Sequence, residues 1–354
     1  MYLALKEIRH EKLRYTLIIA MIVLITYLIF ILSGLATGLA GENTQAIESW
    51  DAKSVVLNRD ANVNLSQSTI TDAQVKKAKL TKNQALIGQA PVVVKHSDRK
   101  KESAQFVGVK KNQYIAKALT PSNGRQARNN KEVVADEQFK ADGYKLGDKI
   151  KFNSSSTKYT IVGFVKDAKL NVAPVVYGSL KTWQELRDFP GGRLAGSAII
   201  SKTAKFKGRD KALKTYSNSY FISKLPGYAA QNTTFGFMIG FLMIISLVII
   251  AVFLYILTIQ ALPTYAVLRA QGIPAAVLVK TIISQSLILM AGGIVIGALL
   301  TFITANMIPF GVPISFNVPM LAGMSIGLLL MGVIGAAIPA RKIATVDPVR
   351  VIGG

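Results

Sequence analysis

The 354-residue chain has no cysteine and two histidines, His10 and His96. These shortages remove whole classes of chemistry. Without thiols there is no disulfide, no thiolate nucleophile and no Cys/His zinc site. Two histidines far apart along the chain leave no His-Glu-x-x-His pair and no histidine-based nucleophile pair. The phosphate-gripping string Gly-x-x-x-x-Gly-Lys-Ser/Thr is missing as well. Its nearest approach, residues 143–149, has neither the spacing nor the hydroxyl. Nucleotide hydrolysis is therefore expected on another subunit, and this chain is assigned no catalytic residue and no metal site.

Charge is missing in long blocks. No charged side chain stands between Arg14 and Glu42, between Lys224 and Arg269, or between Lys280 and Arg341. Residues 237–259 alone are long enough to cross roughly 30 Å of hydrocarbon at about 1.5 Å per residue. With 51% hydrophobic residues, the composition fits a mixed membrane protein. The expected fold is α-helical with four transmembrane helices at 15–40, 234–259, 280–305 and 318–338. The break at 306–317 falls where Asn306, Pro309, Pro313 and Asn317 cannot continue a lipid-facing helix. Gly34, Gly38 and Gly41, with Gly293-x-x-x-Gly297 and Gly323-x-x-x-Gly327, offer small faces for close helix approach. The first set suits either a dimer seam or packing against the chain's own spans.

Between the first two spans, residues 41–233 change to short apolar runs, helical stretches and turn residues, the pattern of a mixed α/β domain. Strands are expected at 54–57, 90–94, 105–109, 159–165 and 197–200, helices at 71–80 and 180–186, and basic surface loops at 121–131 and 202–214. This block holds 33 Lys and Arg against 16 Asp and Glu, a net +17 of the chain's +23. The spans argue against nucleic acid as the partner of so basic a chain; a solvated face beside an anionic envelope or the attraction of an anionic substrate are the two remaining readings.

Orientation follows from the short connections. Lys6, Arg9, Lys12 and Arg14 precede the first span, Arg269 follows the second and Arg341 and Lys342 follow the fourth, while 306–317 has no cation. Both termini are then cytoplasmic in a multi-pass cell-membrane protein, with 41–233 and 306–317 outside. Residues 1–14 read as an interfacial helix on the lipid, 260–279 as a cytoplasmic loop and 339–354 as a cytoplasmic tail, with Pro339 ending the last span.

The loop carries Leu262, Pro263, Thr264, Tyr265, Leu268, Arg269 and Gly272, and the tail carries Pro339-Ala-Arg341-Lys-Ile-Ala-Thr-Val-Asp347-Pro348-Val349. Together they resemble the FtsX/MacB-type ABC transporter permease family, as does Gly147-Asp148 followed by the run 159–165. Thr264 stands where that family usually has an acidic residue. Residues 39–58 and the start Leu5-Lys-Glu-Ile-Arg-His10 look like the family's haem-efflux (HrtB-type) branch. The resemblance implies a bacterial MacB-like permease that dimerises with itself and pairs with a cytoplasmic ABC ATPase. ATP is held by that partner, there is no intrinsic cofactor, and haem is removed from the membrane by transmitted motion. Pro263, Thr264, Tyr265, Leu268, Arg269 and Gly272 would meet the ATPase.

Under that resemblance the available haem donors are tyrosine, methionine, histidine and carboxylate. His96 lies in a polar run read as a solvated turn. Glu42 and Glu48 just after the first span, Tyr228 just before the second and Tyr177 behind it are the candidate haem-binding residues, with Trp50 as a wall for the porphyrin. Six residues at about 100° each place Glu42 and Glu48 about 120° apart on a helix, so one helix does not aim both at one ligand. The competing functions are a MacB-like exporter of antimicrobial or amphipathic peptides and a non-transporting FtsX-like signal relay.

Overall fold

A computed structural model describes residues 11–187, 194–309 and 311–344. In chain order the elements are α1 (Lys12–Ser49), β1 (Ser54–Asn58), β2 (Ile70–Thr71), α2 (Asp72–Ala78), β3 (Gln84–Lys95), β4 (Glu102–Val109), α3 (Tyr114–Ala118), β5 (Asn123–Gly124), β6 (Glu132–Asp136) and α4 (Glu137–Ala141). They continue as β7 (Lys149–Phe152), β8 (Tyr159–Val165), β9 (Lys169–Leu170), β10 (Ala173–Ser179), α5 (Leu180–Arg187), β11 (Leu194–Gly196), β12 (Ala198–Ser201), β13 (Leu213–Ser217), α6 (Asn218–Ser223), α7 (Tyr228–Gln260), α8 (Leu262–Ala270), α9 (Ala275–Met307) and α10 (Val318–Ala344). The chain divides into two compact units, Leu39–Asn232 and the remainder.

The first unit is the α/β domain inserted between the first and second long helices. Its main sheet runs β13-β1-β12-β3-β4-β10-β6-β8-β5, and β7 pairs with both β3 and β8. The pairings β3–β4–β10–β6–β8–β7 thus return to β3 and close a ring. The twelve-residue β3 makes this possible by bonding β12 through 84–87 at one end and β7 through 94–95 at the other. Pro91, which has no N–H to give, sits between those two ladders. One buried cluster gathers Phe106, Phe152, Tyr159, Phe164 and Trp183, and a second gathers Trp50, Val55, Val134, Tyr177 and Phe221. The domain therefore carries its own core without disulfides.

The second unit contains α7, α9, α10 and the first part of α1, the four helices long and apolar enough to cross a membrane. Its core includes Ile18, Ile22, Ile29, Leu254, Leu289 and Leu328, whereas Phe237, Phe241, Leu299 and Phe302 point outward and exposed. Such a surface suits lipid rather than water. Two polar contacts join the helices: Ser286 Oγ donates to the Gly332 carbonyl at 2.7 Å, and the Tyr27 and Thr304 hydroxyls pair at 3.1 Å. Gly293 and Gly297 face Ile22 and Thr26, while Gly323 faces open space.

The helix that carries the span expected at 15–40 continues to Ser49, with Asn43 and Thr44, polar in sequence, buried in that extension. One expectation needs correction. Pro339 does not end the last helix, which runs on to Ala344 with the proline inside it; a span tolerates a missing donor when local adjustment re-satisfies the freed carbonyl. Residues 1–10 of the expected interfacial helix and residues 345–354 of the tail, Asp347-Pro348 included, lie outside the described residues.

Candidate functional site

The connection after the second span folds as α8. Pro263 occupies its first turn, where the absent N–H costs nothing. Gly272 closes it in the left-handed region at φ +89°, and the Ile273 N–H donates to the Leu268 carbonyl at 3.1 Å. The helix has two faces. Tyr265 and Ala266 are buried and Leu268 packs on the span core, whereas Pro263, Thr264, Val267 and Gly272 are exposed and Arg269 is half-buried. Of the residues expected to meet the ATPase, Tyr265 and Leu268 are thus anchors into the spans. Val267, which the sequence reading passed over, joins the outer face. Beside it Arg14 donates to Glu11 at 2.9 Å and to Gln260 at 2.5 Å, tying the start of α1 to the end of α7. Hence α8 is a short rigid piece fastened on one side and open on the other.

The four candidate haem residues all fall in the α/β unit, and no hydrogen bond joins any two of them among the described residues. Glu42 accepts from Lys169 Nζ at 2.5 Å in an ion pair where both side chains are only 12–13% exposed. The same stretch of α1 receives the β9–β10 turn: Asn171 N–H donates to the Asn43 carbonyl and Val172 N–H to that of Glu42, each at 3.2 Å. Both turn residues have positive φ, and Val172 at +64° is a β-branched side chain in a conformation it disfavours. The hairpin therefore grips the end of α1 at a local conformational cost.

Tyr177 is buried, and its hydroxyl accepts from Trp50 Nε1 at 3.2 Å. Burial pushes its pKa up to about 12, partly offset by hydrogen bonds from Trp50 and Ser49, so a phenolate at this position is disfavoured. Trp50 is buried too. Glu48 is exposed and accepts from Thr44 Oγ1 at 2.8 Å. Tyr228 is half-buried at the start of α7 and packs on the Trp50 cluster. Glu48 and Tyr228 are left as groups a ligand could reach, while Glu42 and Tyr177 are already engaged. Nothing in sequence marks Lys169 among 33 cations of the domain, and its pairing with Glu42 could not be read there.

Comparison with known proteins bears on both parts. Residues 236–348 match the family described as FtsX-like permease C-terminal. Over its whole length the chain is 24% identical to "Putative hemin transport system permease protein HrtB" of Staphylococcus epidermidis (strain ATCC 12228), covering 99% of that relative. It is 23% identical to the protein of the same name in Staphylococcus haemolyticus, again with 100% of this chain and 99% of the relative covered. Among solved structures, the periplasmic region of MacB from Actinobacillus actinomycetemcomitans overlaps 48% of this chain and 92% of its own, at 15% identity and a TM-score of 0.36.

Proposed function

We propose, from the premise that residues 236–348 form an FtsX-like permease domain, that this chain is the membrane subunit of an ABC exporter that removes haem from the membrane, driven by a separate ATPase. The observation that carries this reading is the end-to-end similarity to two proteins named as hemin transport permeases. The composition of the spans agrees with an apolar cargo. No charged residue stands between Lys224 and Arg269 or between Lys280 and Arg341, so the spans there supply no charged pathway.

In this reading ATP is bound and hydrolysed by a cytoplasmic ABC partner. Its motion enters through the open face of α8 at Pro263, Thr264, Val267 and Gly272, and Tyr265 and Leu268 pass it to the spans. The chain works as a homodimer in the bacterial cell membrane with both termini in the cytoplasm. Haem is taken up near Glu48 and Tyr228 on the outer side and expelled as the outer domain changes shape.

Haem tolerance of a strain lacking the chain tests the cargo. Growth should fail at haem concentrations the parent survives, and the wild-type chain, but not Tyr265→Ala, should restore it. Equal tolerance with and without the chain would remove the haem reading and leave the peptide exporter or the relay. In purified protein, Glu48→Gln combined with Tyr228→Phe should weaken haem binding at least tenfold and shift the Soret band; an unchanged spectrum and affinity would discharge those two residues.

A further inference from the structure

The α/β domain contains a cavity of about 500 Å³ that the haem reading does not use. It opens where the parallel strands β4 and β10 end together, with Val109 opposite Ser179. Its lining is mixed: Val134, Tyr177 and Leu180 are buried and Val109 and Leu119 half-buried, beside the carboxamides of Asn112, Gln126, Asn129, Asn130 and Gln184. Tyr177 borders the cavity as a buried side chain whose hydroxyl accepts from Trp50 Nε1.

The rim is basic. Lys110, Lys111 and Lys181 are exposed around the opening, and no Asp or Glu lines the cavity. None of the three ammonium groups has a carboxylate within ion-pairing distance among the described residues. Glu132, the acid at the start of β6, accepts from Arg125 at 2.7 and 2.9 Å. The first turn of α5, at Leu180 and Lys181, also borders the space and adds the positive end of its dipole. Three cations with no acid in the lining favour a ligand that carries negative charge, the apolar side chains favour an apolar body, and the carboxamides can meet its polar atoms.

We propose that this cavity binds a small amphiphile bearing one or two carboxylates on an apolar body. A fatty acid and a porphyrin with its propionates share that chemistry. The inference does not rest on the haem-export reading, because its site is distinct from Glu48 and Tyr228 and its readout is binding rather than efflux.

The test uses the full chain in phosphatidylcholine nanodiscs, with empty nanodiscs subtracted. Two fluorescent acids, cis-parinaric acid and metal-free protoporphyrin IX, are each titrated beside their methyl esters. At least one acid should bind saturably, its ester at least tenfold more weakly, and the triple variant Lys110→Glu, Lys111→Glu, Lys181→Glu should lose at least tenfold in affinity with an unchanged circular dichroism spectrum. Saturable binding of parinarate alone makes the ligand fatty-acid-like; binding of the porphyrin alone makes it porphyrin-like. If the triple variant misfolds, the wild type decides through salt, since raising sodium chloride from 0.05 to 0.5 M should weaken acid binding severalfold and leave ester binding unmoved. The proposal is overturned if neither acid binds above empty nanodiscs, if the esters bind as well as the acids, or if the folded triple variant binds like the wild type.

Discussion

Single residues decide how the α/β domain responds to its surroundings, and Glu132 is the clearest case. Its carboxylate accepts two bonds from the Arg125 guanidinium, one from the Arg128 N–H at 2.7 Å and one from Asn129 Nδ2 at 2.9 Å. The Arg125 bond, first among these, pulls its pKa from the ordinary 4.5 to about 2. A depressed folded-state pKa means the unfolded chain binds the proton more readily. The stabilisation is then complete above about pH 4.5 and fades as pH falls toward about 2. Glu132→Gln should therefore be less stable than the wild type at pH 7, with the gap closing across that acid window. Tryptophan emission reads this cleanly, because the chain's two tryptophans, Trp50 and Trp183, are both buried in this domain. A gap independent of pH would mean that the charge of Glu132 is not what matters. Tyr177 carries a related lesson: sequence offers it as a candidate haem residue by its place, and only the structure shows that it is buried with its hydroxyl accepting from Trp50 Nε1.

At the scale of elements, the question the sequence left open at Gly34 and Gly38 is answered by the chain's own 311–317 connection. A Cβ on Gly38 would stand 2.2 Å from the Pro313 carbonyl oxygen and 2.7 Å from the Ile314 nitrogen, and the Ser315 N–H donates to the Gly34 carbonyl at 2.9 Å. Backbone cannot swing aside as the Phe316 ring beside Gly34 can. Gly38→Ala should thus cost about 1–3 kcal/mol of overpacking, seen as a lower melting temperature in detergent, with Gly34→Ala milder and Gly41→Ala silent, since nothing lies within 4 Å of Gly41. If Gly38→Ala instead dissociated a dimer and left the melting of the monomer unmoved, the small-residue face would belong to a second copy. What was legible beforehand follows the same physics. Charge-free runs betray spans because charge in lipid is costly, and short apolar runs between turn residues betray strands such as β1 and β8. Ring closure through β7 was not legible, because four residues, Lys149–Phe152, carry no sign of the two neighbours they join. The passage of α10 through Pro339 was hidden for a different reason, as a local rule about proline was overruled by the span around it.

For the molecule as a whole, the proposed function requires that the basic domain and the 306–317 connection share one side of the membrane and α8 the other. Four spanning helices place 41–233 and 306–317 together by parity, whichever side that is. The cations flanking the spans then choose the side: Lys12, Arg14, Arg269, Arg341 and Lys342 gather at one set of ends, and a cation held back in the cytoplasm is worth more to topology than the +17 of a long domain that translocates regardless. The absence of cysteine makes the choice measurable, because every introduced thiol is unique. Lys205→Cys in the outer domain and Val312→Cys in the short connection should both react with a membrane-impermeant maleimide on intact cells, and Gln271→Cys at the end of α8 only after the membrane is opened; all three positions are exposed. The reverse pattern would put the basic domain in the cytoplasm and leave an ATPase no cytoplasmic α8 to push. Labelling of Lys205→Cys without Val312→Cys would break the four-span parity itself, and with it the route by which motion below could reach the domain above.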